Sequence, residues 1–214
     1  MPSVTNLFRI SGIEKLDLQY RWLSALAWLG RPRAVARIRE CQKLHLGCGA
    51  HVLPGWANLD LAGAPGSVRW HLGWRLPADD ASIDLVFSEH FVEHIDKAQA
   101  ARLLRDCHRV LRVGGVLRVS TPSLEALIGA YQAGQLDGWA NVAWFPASTC
   151  DLVNEGMRSW GHRYVYDEAE LRRQLMLAGF SVVRRMAWRQ SDVPALVGIE
   201  RRPFHDELIL EATK

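Results

Sequence analysis

The sequence predicts a Rossmann-like α/β fold with a mostly parallel sheet, and three observations lead to it. Short apolar runs at Lys43–Leu46, Ala57–Leu61, Ile83–Ser88 and Val116–Ser120 have the length of buried strands. A segment of helical spacing lies between the third and fourth runs, and the first run ends directly in Gly-Cys-Gly. Strands that alternate with helices form parallel sheets with right-handed crossovers, and 214 residues suit a single domain.

The helical segment is Lys97–Leu111, in which apolar residues recur every three or four positions until Gly114–Gly115 ends the helix. Asp167–Ala178 has the same kind of pattern, with a glycine stop at Gly179. Two further apolar runs predict the last pair of strands, at Ser181–Trp188 and Glu207–Ala212.

Residues 123–166 interrupt this alternation. Leu124–Tyr131 has helical spacing, but the part from Gly134 to Gly161 is mixed and rich in tryptophan. Insertions of this length in compact domains usually serve as lids or binding loops. We therefore divide the chain into a helical segment of residues 1–40 and a domain of residues 41–214, with a lid-like insertion at 123–166.

The segment of residues 1–40 predicts two helices separated by Gly30–Arg31–Pro32. It holds seven basic and three acidic residues of the 26 and 23 in the whole chain, so the net charge of +3 originates here. An apolar stripe flanked by arginines can contact a membrane surface or a partner. Docking on the domain's own sheet is the interpretation that we favour.

Several classes of protein are disfavoured. No apolar stretch reaches the roughly 18 residues that span a bilayer, and the start lacks the pattern of a secretory signal, so we expect a cytoplasmic protein without a transmembrane segment. The four cysteines lack C-x-x-C spacing, which disfavours a zinc ribbon. Nearly balanced charge after residue 40 disfavours DNA as a partner.

Gly47-Cys48-Gly49 directly follows the first strand, and Asp60 ends the second. Glycines let backbone N–H groups approach a ligand, and an acid at the next strand end can accept hydrogen bonds from ribose hydroxyls. A dinucleotide fingerprint has a third glycine where this chain has Val52. An adenosine cofactor without phosphates fits better, and we predict S-adenosylmethionine (SAM); a purely structural turn is the alternative.

Leu44–Leu61, LHLGCGAHVLPGWANLDL, resembles the opening motif of small bacterial class I SAM-dependent methyltransferases of the methyltransferase type 11-like family. The resemblance spans roughly Lys43 to Lys214. Its further motifs are Leu76-Pro77, Ser82–His94, Arg109–Val119, His162–Asp167 and Ala178–Phe180. It implies a three-layer Rossmann-like sandwich with a seven-stranded sheet whose last strand is antiparallel.

The resemblance also implies cofactor contacts. They are Leu46, Gly47, Cys48 and Gly49 beside the methionine part of SAM, Asp60 on the ribose hydroxyls, Leu61 and Leu76 on the adenine, and Ser88 and Glu89 beside the methyl group. His71 stands where related sequences usually have an acid that meets the adenine amino group. We expect its neutral imidazole to accept a hydrogen bond there.

Methyl transfer from a sulfonium depends mainly on proximity and alignment. A hydroxyl acceptor must also lose a proton, and histidine suits that role near neutral pH. His90, at a strand tip, and His162, at the end of the insertion, are therefore the candidate catalytic residues. Tyr164 and Tyr166 are candidates for substrate binding, although each can equally be ordinary packing.

The stretch from His90 to His94 also spells H-x-x-E-H, the signature of a class of zinc metalloproteases. That class needs the motif inside a long helix, whereas here the motif follows a strand. We therefore expect no metal site. We also expect His94 to pack under the sheet edge, while His90 alone faces the pocket.

Together these features predict a SAM-dependent methyltransferase that acts on an oxygen or nitrogen of a small-molecule, sugar or lipid-linked acceptor. The [N/D]-P-P-[Y/F] tetrapeptide, with which some enzymes grip the exocyclic amines of bases, does not follow Ile83–Ser88, so DNA is again disfavoured. Two alternatives stay open. One is a non-catalytic protein with the SAM fold, and the less favoured one is an NAD-dependent oxidoreductase.

Overall fold

The computed structural model describes residues 12–136, 139, 144–202 and 206–214, with side chains from residue 18 onward. The expected lack of a secretory signal concerns the first residues of the chain, which lie almost entirely outside the described part. The helices are α1 (Gly12–Leu29), α2 (Arg31–Arg39), α3 (Lys97–Val110), α4 (Leu124–Ala133), α5 (Thr149–Arg158) and α6 (Glu168–Ala178). The strands are β1 (Lys43–Leu46), β2 (Ala57–Asp60), β3 (Val68–Arg69), β4 (Ile83–Glu89), β5 (Leu111–Thr121), β6 (Val182–Arg185) and β7 (Leu208–Thr213).

The seven strands form one sheet in the order β3-β2-β1-β4-β5-β7-β6. Neighbouring strands from β3 to β5 are parallel, whereas β7 is antiparallel to both β5 and β6. The predicted fold class is thereby confirmed, including the antiparallel last strand. The inserted β7 also differs from the 3-2-1-4-5-6 order typical of dinucleotide-binding sheets.

Helix α3 shows how the sequence determines the core. Asp96 caps its first turn in a reciprocal pair of hydrogen bonds with Gln99. Its buried residues are Ala100, Leu103, Leu104, Cys107 and Val110, the apolar positions of the predicted helical face. They join the larger hydrophobic cluster with α2, α6 and one face of the sheet. On the other face, Leu85, Phe87 and Val116 pack against Leu196 and Ile199.

Some elements differ from the prediction because their local patterns are weak. Strand β3 has only two residues, too few for a periodic signal. Helix α5 begins after Ser148, whose hydroxyl accepts from the backbone N–H of Asp151, and it lies within the part of the insertion that the sequence left unassigned. Strand β6 is shorter than the predicted run Ser181–Trp188, since its residues are largely exposed at the sheet edge.

The two N-terminal helices differ in how much of their apolar surface is buried. Helix α2 buries Ala34 and Ile38 in the main core. Helix α1 leaves large side chains exposed, among them Trp22 and Trp28 at 64% and 63%. In the described part of the chain, no helix is both long enough and apolar enough to cross a membrane.

Candidate cofactor and acceptor site

A cavity of about 540 Å³ opens at the carboxyl ends of β1 and β2. Gly47, Asp60 and Leu61 line it from the sheet side, while His71 and His94 line it from the following segments. The volume lies in the range of small-molecule binding sites, roughly 300–1,000 Å³. The carboxyl edge of a parallel sheet is also where α/β folds bind ligands, so this cavity is the candidate functional site.

Gly47 and Gly49 both have left-handed backbone conformations, with φ of 66° and 50°. An added Cβ at Gly47 would lie 2.4 Å from the ring of Phe91, whereas an added Cβ at Gly49 would meet nothing within 4 Å. The backbone N–H groups of Gly47 and Cys48 donate to the carbonyl oxygen of Leu59, at 2.9 and 3.2 Å. The turn is therefore tied to β2, and Gly47 is the glycine that packing requires.

Asp60 is held by the two segments that flank it. Its Oδ2 accepts the backbone N–H of Gly49 at 2.9 Å, and its Oδ1 accepts the N–H of Ala62 at 2.7 Å. Each carboxylate oxygen keeps a further lone pair, and the residue lines the cavity. Asp60 can therefore accept two hydroxyl groups without giving up the bonds that orient it.

His71 lies in the cavity wall as predicted, but its hydrogen bonds differ from the expectation. The backbone N–H of Gly73 donates to Nδ1 at 2.9 Å, and Nε2 lies 2.5 Å from the hydroxyl of Tyr20 on α1. Burial lowers the pKa of His71, which favours the neutral ring. Since Nδ1 accepts, the proton is on Nε2, so His71 presents a donor. The expectation that it accepts a hydrogen bond from adenine is wrong for this arrangement.

Four predicted cofactor contacts are buried beside the cavity instead of lining it. Leu46 and Leu76 belong to the main hydrophobic core, and Cys48 and Ser88 are nearly inaccessible. Burial also raises the pKa of the Cys48 thiol to about 12, with Asp60 adding to the effect. None of the four is among the residues that line the cavity.

Glu89 was predicted to lie beside the methyl group, but its carboxylate binds the backbone of the loop that contains Arg201 and Arg202. Its Oε1 accepts the backbone N–H groups of Arg201 and Arg202, both at 3.0 Å. Its Oε2 lies 3.4 Å from Nδ1 of His51. The carboxylate therefore connects the end of β4 to two surface segments.

His90 turns away from the cavity. It has a left-handed backbone with φ of 49°, and its Nδ1 and Nε2 each lie 3.3 Å from a carboxylate, of Glu93 and Glu207 respectively. Burial acts to lower the pKa of His90, but these two carboxylates outweigh it and raise the pKa to about 9. The charged ring is thus enclosed between two acids.

His94 lines the cavity, so the expectation that His90 alone faces the pocket while His94 packs under the sheet edge is wrong. The ring of His94 meets that of His162 edge to face, with centroids 4.9 Å apart. Burial lowers the pKa of His94 despite the neighbouring Glu93, so the ring favours its neutral form.

The residues predicted at the end of the insertion fall into two groups. His162 contacts both His94 and Trp160, whose ring centroid is 5.6 Å away. Tyr164 is half-buried, with the ammonium of Lys97 5.2 Å from its ring centroid. Tyr166 is wholly buried in the core, where burial raises the pKa of its hydroxyl. Of these three residues, only His162, which contacts the cavity-lining ring of His94, is placed to meet an acceptor.

The sequence did not indicate several residues in and around the site. Tyr20, Phe91 and Arg163 line the cavity, and Trp160 is exposed beside His162 with a left-handed φ of 57°. Tyr20 and Arg163 come from segments far from the glycine motif, so no spacing rule connects them to it. Phe91 lies inside the motif Ser82–His94, but its position against Gly47 is a tertiary contact that the motif does not indicate.

Comparison with known proteins agrees with this geometry. Residues 66–119 match the family model described as "Methyltransferase domain". Over these residues the chain is similar to that methyltransferase family. Part of the chain, 49 residues, is 48% identical to the Mycobacterium tuberculosis protein named "Probable S-adenosylmethionine-dependent methyltransferase Rv3030". That match covers 23% of this chain and 17% of the relative, and a Mycolicibacterium smegmatis relative with a similar name is 49% identical over 50 residues, 23% of this chain and 18% of its own length.

Solved methyltransferase structures share the fold over nearly the full chain. A SAM-dependent methyltransferase from Archaeoglobus fulgidus has a TM-score of 0.51 at 16% identity, and the match covers 95% of this chain and 100% of that one. One from Thermotoga maritima has a TM-score of 0.51 at 17% identity, with 92% and 95% covered. The predicted resemblance to SAM-dependent methyltransferases thus agrees with the family model and the named relatives, and the solved structures show the same fold.

Proposed function

We propose that this methyltransferase domain binds SAM and transfers its methyl group to an oxygen or nitrogen atom of a small-molecule, sugar or lipid-linked acceptor. The supporting observation is the pairing of Asp60 with Gly47 at one cavity. Asp60 has two oriented carboxylate oxygens with free lone pairs, and Gly47 lines the same cavity at the neighbouring strand end. An adenosine with free ribose hydroxyls and no phosphates fits this pair.

In this assignment the cofactor lies along Gly47, Asp60 and Leu61, with its adenine toward His71. Gly49 contributes by orienting Asp60 through its backbone N–H. The methyl group then points toward the surface formed by Phe91 and His94. Methyl transfer needs the acceptor held in line with the carbon–sulfur bond, so the groups that surround that surface form the acceptor half of the site.

The acceptor half consists of His94, His162 and Trp160 in this proposal. Their rings follow one another, with His162 4.9 Å from His94 and 5.6 Å from Trp160. His90 becomes a positioning residue, because both of its ring nitrogens face carboxylates and it does not line the cavity. Of the two predicted catalytic histidines, His162 keeps the proposed role and His94 replaces His90.

The non-catalytic alternative has one observation in its favour. The hydroxyl of Tyr20 forms a hydrogen bond with Nε2 of His71, so helix α1 partly closes the end of the cavity that we assign to adenine. A protein that only adopts the fold would tolerate this contact permanently, whereas an enzyme must release it to bind its cofactor. The oxidoreductase alternative loses support, since the antiparallel β7 departs from the dinucleotide-binding order.

The test is a calorimetric titration of SAM into the wild-type chain, Asp60→Ala and the control Asp84→Ala. Asp84 lies near the start of β4, where it pairs with Arg112 away from the cavity. Loss of the charged acceptor should weaken SAM about ten- to a hundredfold, or roughly 1.5–3 kcal/mol, and the control should bind normally. A wild type that does not bind SAM would favour the non-catalytic alternative.

Catalysis is tested separately from binding. Wild-type chain incubated with SAM and pools of hydroxylated, amino and sugar acceptors should yield S-adenosylhomocysteine faster than chain without acceptor. His162→Ala should bind SAM as the wild type does but lose the acceptor-dependent rate. A chain that binds SAM tightly and never produces S-adenosylhomocysteine would contradict the enzymatic proposal.

A further inference from the structure

Three side chains capable of binding a metal ion meet at the tip of β4. Among the described residues, one ligand atom each from Glu93, His94 and His162 lies within 4.8 Å of the other two. The backbone N–H groups of Arg163 and Tyr164 donate to the carbonyl oxygen of Glu93, at 2.7 and 3.2 Å. These bonds hold the end of the insertion against the helical turn that follows β4, so the cluster is built into the fold.

Two of the three side chains are already oriented by hydrogen bonds on their far sides. The N–H at Nδ1 of His162 donates to the carbonyl oxygen of Gly156 at 2.8 Å, which leaves the lone pair on Nε2. The hydroxyl of Thr121 donates to Oε2 of Glu93 at 3.0 Å. Metal-binding histidines and carboxylates are usually fixed by such outer bonds.

The other oxygen of Glu93 supplies an independent sign of a ligand. Glu93 is wholly buried, yet no hydrogen bond of ordinary geometry reaches its Oε1. Nδ1 of His90 lies 3.3 Å from this oxygen and Nε2 of His94 lies 3.9 Å from it. Buried carboxylate oxygens normally accept hydrogen bonds, so an oxygen that faces two imidazoles without a hydrogen bond of ordinary geometry is suited to coordination.

We propose that Glu93, His94 and His162 bind a divalent transition-metal ion such as Zn²⁺. Two imidazoles and one carboxylate favour such an ion over Mg²⁺ or Ca²⁺, which prefer oxygen ligands. Ligand atoms around tetrahedral Zn²⁺ lie about 3.3 Å apart, so binding draws the half-exposed ring of His94 toward the other two. Three protein ligands leave a fourth position open, on the side where His94 lines the cavity.

This site differs from the H-x-x-E-H arrangement that the sequence spells. That arrangement uses both histidines of the motif, but here His90 is enclosed by Glu93 and Glu207. The second imidazole comes from His162 instead, at the end of the insertion. The ligand set therefore depends on the tertiary fold and not on the motif alone.

The open position gives the ion a role that rests on the proposed function, although metal binding itself does not. An acceptor hydroxyl on the ion releases its proton to water more readily. Its oxygen then bonds to the methyl carbon while the carbon–sulfur bond breaks. The electron pair of that bond stays on sulfur, and S-adenosylhomocysteine leaves. This role narrows the acceptor class to oxygen nucleophiles.

The experiment is a titration of Co²⁺ alone into chelator-treated full chain without SAM, followed by calorimetry and visible absorption. We expect one ion per chain, with the d–d bands of a four- or five-coordinate nitrogen and oxygen site. Glu93→Gln, His94→Ala and His162→Ala should each weaken binding by at least about a hundredfold. Thr121→Val, which removes only an outer hydrogen bond, should weaken it roughly tenfold.

His108→Ala is the matched control, because His108 contacts Phe180 away from the site. Equal affinity in the control and the three ligand variants, or no binding by the wild type, would overturn the site. Thr121→Val nearly preserves side-chain volume, so it keeps the test valid if Glu93→Gln fails to fold. A SAM titration on the same samples separates the proposals, since Co²⁺ binding without SAM binding contradicts only the methyltransferase function.

Discussion

The two halves of the cavity are built in different ways. The cofactor half comes from one stretch of chain, in which the turn at Gly47 and Gly49 is bonded to Leu59 and Asp60. The acceptor half joins β4 to the end of the insertion, where Glu93 meets His162 through tertiary contacts alone. The comparison teaches that the first half is fixed by local backbone geometry, whereas the second exists only when the whole domain is folded.

The strongest way to break the cofactor half is Gly47→Ala. Its Cβ would lie 2.4 Å from Phe91 at a left-handed φ of 66°, so the variant should lose detectable SAM binding. Gly49→Ala carries only the backbone strain, on the order of 1–2 kcal/mol, and should keep most of the affinity. Calorimetry on both variants measures the contrast, and equal losses would show that strain, not the Phe91 contact, decides.

A second test asks whether the halves are independent. Asp60→Ala should weaken SAM about ten- to a hundredfold but leave Co²⁺ affinity unchanged, because the Asp60 carboxylate accepts its hydrogen bonds from Gly49 and Ala62, which are not metal ligands. His162→Ala should show the reverse pattern. Parallel titrations of SAM and of Co²⁺ into each variant give four affinities. A variant that loses affinity for both SAM and Co²⁺ would mean that the two halves are coupled.

A smaller effect is expected at the contact between α1 and the cofactor half. Tyr20→Phe removes the hydroxyl that engages His71 at 2.5 Å, which frees Nε2–H to donate to a ring nitrogen of adenine. One net hydrogen bond is worth about 1 kcal/mol, so SAM should bind roughly fivefold more tightly. Weaker binding, measured by the same calorimetry, would instead indicate that Tyr20 contacts the cofactor directly.

The smallest effect concerns Trp160 in the acceptor half. Its left-handed φ of 57° favours glycine, so Trp160→Gly should be more stable than Trp160→Ala by about 1 kcal/mol. Both variants lose the same ring contacts with Trp144 and His162. Urea denaturation measures the difference, and SAM affinity should stay at the wild-type value in both. An alanine variant as stable as the glycine variant would argue against strain at this position.

Sequence analysis succeeded where local patterns determine structure. Gly47, Asp60 and the buried face of α3 were predicted because a turn, a strand end and a helical period each act over a few residues. It failed where contacts join distant segments. The prediction placed His90 in the cavity and His94 outside it, the reverse of what the structure has. Glu207, which helps to enclose His90, is 117 residues away, and no residue close to His90 in the sequence indicates this partner.

The insertion shows the same limit on a larger scale. Helix α5 has a capping signal, Ser148 followed by Asp151, yet its surroundings are irregular enough to hide it. His162 was selected for its chemistry, and its neighbours Gly156 and Trp160 could not be inferred from spacing. The role of Tyr20 was even harder to predict from the sequence, since its partner His71 lies 51 residues further along the chain.

The hydrogen bond between Tyr20 and His71 also bears on the order of events in turnover. In the proposed reaction the nucleoside occupies the adenine end only while this bond is open, so binding of the cofactor and closure of α1 exclude each other. The acceptor half has no such tie at Trp160, which is exposed. Under the proposed function, re-formation of the bond should therefore assist the departure of S-adenosylhomocysteine at the end of each cycle.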